Sequence, residues 1–151
     1  MAYDRADWHY GGDFPAGLPP ENGGTHIGMF LAWAIHRGLA GELLTSEAAD
    51  AIEAVKSRRM TGRAFLFNAC DEKFWEEDLN ALGNEFATDY YANNIYLDDY
   101  ERAVGASLPS LYHVEDTWQN FDLVCVAIDA RFNRWRANRN RPRWQFWRSR
   151  I

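Results

Sequence analysis

Glu21 and His26 head the residues whose types could do acid–base work. They lie in the run Glu21-Asn22-Gly23-Gly24-Thr25-His26, a glycine-rich lead-in to an apolar stretch. A histidine near a helix N-terminus stays neutral, which suits a general base, and the nearby carboxylate would complete a pair. The competing reading is a buried histidine that bonds the adjoining loop. Spacing names no third member of a catalytic set, which favours that second reading. The other histidines, His9, His36 and His113, fall in no HExxH and no Cys/His zinc spacing, so neither a metal nor a cofactor is expected. Asp98 and Asp99, with Asp89, offer oxygen ligands for a divalent cation. Neighbours on a helix diverge by about 100°, however, and no EF-hand glycine pattern is present. Solvated acids, or acids facing a basic partner, are the better reading. The chain contains no Walker A loop, GxGxxG or GxSxG, so nucleotide-binding and serine-hydrolase templates fail.

Charge is unevenly distributed. All 22 acidic residues lie within 1–130, against eight Lys or Arg, whereas 131–151 carries eight arginines and no acid. The body is therefore at −14 and the C-terminal segment at +8. So sharp a split bears on partners, internal or external. The tail 138–151 interleaves arginine with Trp144, Phe146 and Trp147, which superficially suits nucleic acid. The acidic body would repel a polyanion, so nucleic acid is not the expected partner. A tail that folds back, its arginines neutralising body acids, is preferred. The acids of the 71–78 stretch (Asp71, Glu72, Glu76, Glu77 and Asp78), with Asp98, Asp99 and Glu101, are the candidate surface for a basic protein partner.

The elements that must position these groups read as helices. From Ile27, the residues Ile27, Phe30, Leu31 and Ala34 share one helical face, and Met29 and Trp33 add a second stripe. A helix apolar nearly all round is buried between neighbours. A central helix is expected over 25–38, capped by Thr25 and stopped at Gly38. A surface helix over about 45–58, capped by Thr45 or Ser46, follows. The run Ala64-Phe65-Leu66-Phe67 reads as a short helix, for want of a nearby strand partner. Asp78 is the expected N-cap of a helix over about 79–92, and a shorter helix is expected at about 96–104. Val114, Trp118, Phe121, Cys125, Ile128, Phe132 and Trp135 form a heptad seam, read as a core helix of a bundle. Residues 1–24 are rich in Pro and Gly and read as an irregular arm packed across the body. The expectation is one all-α domain: arm 1–24, helical core 25–137 of about five to six helices, and basic tail 138–151.

The nine residues from Ile27 to Ile35 are too few to span a bilayer, and the N-terminus is too acidic for a secretory signal. Cys70 and Cys125 lack any CxxC pairing and read as buried thiols of a reducing compartment. A cytoplasmic protein without membrane contact is expected.

The run Glu21 to Trp33 resembles the signature of a bacterial family of small proteins of unknown function. Trp8-His9-Tyr10 with Gly12-Asp13-Phe14-Pro15, Thr61-Gly62-Arg63, Asp89-Tyr90-Tyr91 and Asp99-Tyr100 are similar to further parts of it, so the resemblance covers roughly 8–105. It implies no reaction and no catalytic residue. Small acidic bacterial proteins of this type are often toxin immunity proteins, an association by size and charge. The leading expectation is therefore an immunity protein that occludes a cognate toxin. The alternatives are a small hydrolase using Glu21 and His26, or a structural or oligomerisation module.

Overall fold

The structure is a computed structural model and describes residues 1–141. It is all-α apart from a two-stranded ribbon. The organising element is α2 (Thr25–His36), in which every residue from Thr25 to Ile35 is buried. Each large apolar side chain so enclosed stabilises the fold by roughly 1.5–3 kcal/mol, which makes this helix the centre of the core. Gly38, at φ 72°, stops it as expected: the Leu39 amide reaches back to the Ala34 carbonyl at 2.9 Å. Its start differs from expectation. A 3-10 turn over Pro20–Gly24 leads straight in, Gly24 is the N-cap, and Thr25 lies inside the helix. The Thr25 hydroxyl instead accepts from Arg63 Nη1 at 3.3 Å.

Helix α5 (Gly62–Ala69) crosses α2 at a glycine pair. A Cβ on Gly62 would fall 1.9 Å from the Gly28 carbonyl oxygen, and one on Gly28 would fall 2.3 Å from the Arg63 amide nitrogen. Only hydrogen at both positions lets the two backbones approach so closely. Thr61 caps α5 by accepting from the Ala64 amide at 3.2 Å. The short helix read from Ala64 to Phe67 is thus part of α5.

The single helix expected over 45–58 is broken into α3 (Glu42–Glu47) and α4 (Ala49–Lys56). Thr45 and Ser46 cap neither; their hydroxyls donate back to the carbonyls of Glu42 and Leu43. Helix α6 (Ala81–Tyr90) is capped by Asn80, which accepts from the Gly83 amide at 2.8 Å, not by Asp78. Asp78 caps the turn before it, accepting from the Trp75 amide at 2.7 Å. Helix α7 (Ile95–Tyr100) runs into a π-turn over Glu101–Gly105.

Residues 1–24 are not irregular throughout. Strand β1 (Ala2–Arg5) pairs antiparallel with β2 (Lys73–Trp75), and α1 (Ala6–Tyr10) follows directly. A register shift between Ala2 and Asp4 sets Asp4, not Tyr3, opposite the buried Phe74. Such a bulge re-aims a side chain, and here it turns a carboxylate into the core.

The long helix α8 (Trp118–Arg139) is capped by Thr117 and buries Phe121, Val124, Ile128 and Phe132. The seam is shorter than its heptad reading: Val114 is buried but precedes the helix, while Trp118, Cys125 and Trp135 are half-buried. Asp129 joins α8 to the end of α2, accepting from Trp33 Nε1 and Arg37 Nε, each at 2.8 Å. Because α8 runs through Arg139, the tail boundary expected at 138 falls inside the helix. The fold-back expected of the tail's tryptophans lies outside the described residues. Cys70 and Cys125 are half-buried thiols, not a disulfide, and burial pushes both above the ordinary thiol range, Cys125 to about 12. No described helix is long and apolar enough to cross a membrane.

Candidate functional site

Sequence reasoning paired His26 with Glu21. The structure pairs it with Asp4. Glu21 is exposed, whereas the His26 side chain is completely enclosed and its Nε2 lies 3.3 Å from Asp4 Oδ2. His9 joins from α1, with Nε2 at 2.8 Å from Asp4 Oδ1. The Tyr91 hydroxyl donates to Asp4 Oδ2 at 2.6 Å, and the Arg5 amide donates to Oδ1 at 2.8 Å. On its far side, His9 Nδ1 meets the Tyr112 hydroxyl at 2.7 Å. The His9 and His26 rings meet edge to face, 4.5 Å between centroids. His26 is also anchored by its backbone, whose carbonyl accepts from the Tyr96 hydroxyl at 2.5 Å.

The electrostatics follow from enclosure. Burial opposes the charge on Asp4, but hydrogen bonds from His26 and His9 outweigh it and hold the carboxyl well below its ordinary range. Burial pushes His26 down, against the pull of Asp4, and so keeps it neutral. Burial, then the nearby Asp4 charge, pushes the Tyr91 and Tyr112 hydroxyls up, so both remain donors. Among the described residues, His26 Nδ1 and the Tyr100 hydroxyl are buried without a hydrogen-bond partner, and the two rings adjoin at 6.0 Å. Sequence reasoning missed Asp4 and His9 because this cluster is assembled from β1, α1 and α2, with no local spacing to read. The bulge at Tyr3 is the device that recruits Asp4.

The acidic candidates divide into buried and exposed. Asp99 is buried; Arg131 holds it through Nε at 2.9 Å and Nη2 at 3.1 Å, and the Tyr90 hydroxyl donates to it at 2.8 Å. Asp78 is buried too. These two are corrections: both are internal structural acids and present no surface to a partner. Glu72 is half-buried and accepts from the Tyr10 hydroxyl at 3.0 Å. Glu76 is half-buried, 3.8 Å from the N-terminal amine. Asp71, Glu77, Asp98 and Glu101 are exposed. Asp98 and Glu101 line a shallow groove with Arg102 and Ala106.

Asp71 and Trp75 belong to a different feature. A groove of about 750 Å³ opens between α3, α4, the C-terminal end of α5 and β2. Glu47, Asp50 and Asp71 stand on its rim, Asp78 and Cys70 line its floor, and none of the described lysines, arginines or histidines contributes to its lining. Leu43 and Trp75 are among its walls and are 45% and 37% exposed, leaving apolar area open to contact. Asp71 and Glu72 sit at φ 51° and 63°, a left-handed conformation that costs non-glycine residues about 1 kcal/mol or more. That strained turn reverses the chain from α5 into β2 and places Asp71 on the rim. Sequence reasoning singled out Asp71 and missed Glu47 and Asp50, because the break between α3 and α4 that frames the groove has no glycine or proline to mark it.

No curated protein and no solved structure matches the chain. A family model described as a domain of unknown function matches residues 2–114. That span contains the Asp4–His9–His26 cluster, its tyrosine partners Tyr91 and Tyr112, and the whole acidic groove, and stops before α8. The chain belongs to this family, DUF7832.

Proposed function

We propose that this is a binding protein of the immunity type, which blocks a basic partner protein, a toxin, by docking it on the acidic groove between α3, α4 and β2. The observation that carries the reading is the lining of that groove: three exposed carboxylates on its rim, no basic side chain among the described residues, and an open indole at Trp75. Opposite potentials speed encounter, while a few desolvated aromatic anchors hold a complex. Glu47, Asp50 and Asp71 supply the first and Trp75 the second. The hydrolase alternative at Glu21 and His26 is less well supported. Its carboxylate faces solvent, and its imidazole is enclosed where no substrate reaches it.

The test is co-purification, at low salt, with the product of the adjacent gene. A stable complex that is lost in a Glu47→Lys/Asp50→Lys protein and weakened by Trp75→Ala is the expected result. Failure to recover any complex, or a complex indifferent to all three changes in a folded protein, overturns the reading.

A further inference from the structure

We propose that Asp4, His9 and His26 form a binding site for one divalent first-row transition ion, of which zinc is the type, stapling the N-terminal segment onto the central helix. Their donor atoms already lie within 4.8 Å of one another. Tetrahedral ligands at about 2.0–2.1 Å from zinc stand roughly 3.4 Å apart, so no pair need close by more than about 1.4 Å, while the direct His9–Asp4 contact at 2.8 Å must open slightly. Two of the three ligands ride on the first nine residues, where a short strand and a single-turn helix can make that adjustment. Two imidazole nitrogens with one carboxylate suit zinc or iron(II), whereas calcium and magnesium demand oxygen throughout.

The outer contacts of His9 and Asp4 are those of metal ligands. Metal-bound histidines give their other ring N–H to an acceptor, and ligating carboxylates are themselves hydrogen-bonded. His9 Nδ1 has the Tyr112 hydroxyl at 2.7 Å; Asp4 has the Tyr91 hydroxyl at 2.6 Å and the Arg5 amide at 2.8 Å. Ligation requires no net proton loss from a neutral imidazole. The proton shifts from Nε2 to Nδ1, Nε2 turns its lone pair to the ion, and Tyr112 changes from donor to acceptor for His9.

The independent sign is His26. Its ring is fully enclosed, yet Nδ1 has no partner among the described residues, and the adjoining Tyr100 hydroxyl is likewise unpartnered. A buried polar atom left unpaired needs an explanation. An ion on Nε2 would leave the proton on Nδ1, and the unpartnered Tyr100 hydroxyl, whose ring adjoins at 6.0 Å, would be its acceptor.

Full-length protein stripped with EDTA and titrated with Zn²⁺ in a calorimeter is expected to take up a single equivalent and to gain thermal stability. Co²⁺ in its place is expected to give the visible absorption of a low-coordinate site. His9→Gln, which alters a partly exposed ligand, is expected to weaken Zn²⁺ binding by more than tenfold while keeping the helical circular-dichroism spectrum. Tyr112→Phe, outside the ligand set, is expected to weaken it by about tenfold, and it decides the matter if His9→Gln does not fold. His113→Gln is expected to leave uptake unchanged. No uptake by the wild-type chain, uptake unaffected by the deciding variant, or loss on changing His113 overturns the proposal.

Discussion

At the scale of single residues, Asp78 shows burial and charge in opposition. It is 5% exposed, and burial, against one hydrogen bond from the Trp75 amide and with Glu77 nearby, raises its carboxyl from 3.8 to about 6. A carboxyl raised in the folded state binds its proton more tightly there than in the unfolded chain. Between about pH 4 and pH 6 the native state therefore holds more protons, and its stability falls as pH rises through that window. The ionised form above pH 6 costs the fold about 3 kcal/mol at most, at about 1.4 kcal/mol per pH unit. Asp78→Asn keeps an oxygen to accept from Trp75 and removes the titration. Urea unfolding at pH 4 and pH 7.5 is expected to show the variant gaining about 1–3 kcal/mol on the wild type between the two. An identical pH dependence in both proteins would refute this account of Asp78. Asp4 acts in the opposite sense and at lower pH, since its partners depress it, so it does not mask the comparison.

At the scale of elements, the α2–α5 crossing is the contact on which the core depends. Each of its glycines faces backbone, not a movable side chain, so a methyl group at either can be accommodated only by separating the helices. Overpacking of this kind costs about 1–3 kcal/mol and sometimes more. Gly62→Ala and Gly28→Ala are each expected to lose at least the upper part of that range in urea unfolding, whereas a change at the open Gly17 should not disturb the crossing. A cooperative Gly62→Ala protein of wild-type stability would contradict the geometry. The same crossing shows what a sequence discloses. Helix α2 was legible because its apolar residues recur locally and it is enclosed on every side. Most of α8 was legible for the same reason, although a straight helix buries Val124 where the heptad reading placed Cys125. The β1–β2 ribbon was not legible: its strands have four and three residues and lie about seventy positions apart, too short for alternation to register. With that ribbon went Asp4, and with Asp4 the true partner of His26.

At the scale of the whole molecule, the charge split between residues 1–130 and 131–151 is partly answered within the chain. Arg131 holds Asp99 and Arg139 reaches Glu85 at 2.5 Å, while Asp122 and Asp129 on α8 accept Arg58 and Arg37. These pairs bind α8 to the body and remove several acids from the outward field. The groove on α3, α4 and β2 is answered less: among its rim acids, Asp71 meets Lys73 at 3.2 Å while itself 86% exposed, a pairing that water screens to little effect. The two exposed acidic regions should therefore differ in kinetics. If the partner docks on the groove as proposed, Asp98 and Glu101 act on it only through the long-range field, so Asp98→Lys/Glu101→Lys should slow association at low salt and leave dissociation nearly unchanged. Trp75→Ala should do the reverse, since loss of a contact anchor appears in the dissociation rate. Raising ionic strength from about 0.01 M to 0.15 M shortens the screening length from about 30 Å to 8 Å. Over that range the wild type should lose association rate steeply, and the Asp98/Glu101 variant less steeply, when stopped-flow mixing follows complex formation. Equal salt slopes for the two proteins would mean that Asp98 and Glu101 contribute no steering field, whereas a dissociation rate raised by their reversal would place the contact on α7 and not on the groove.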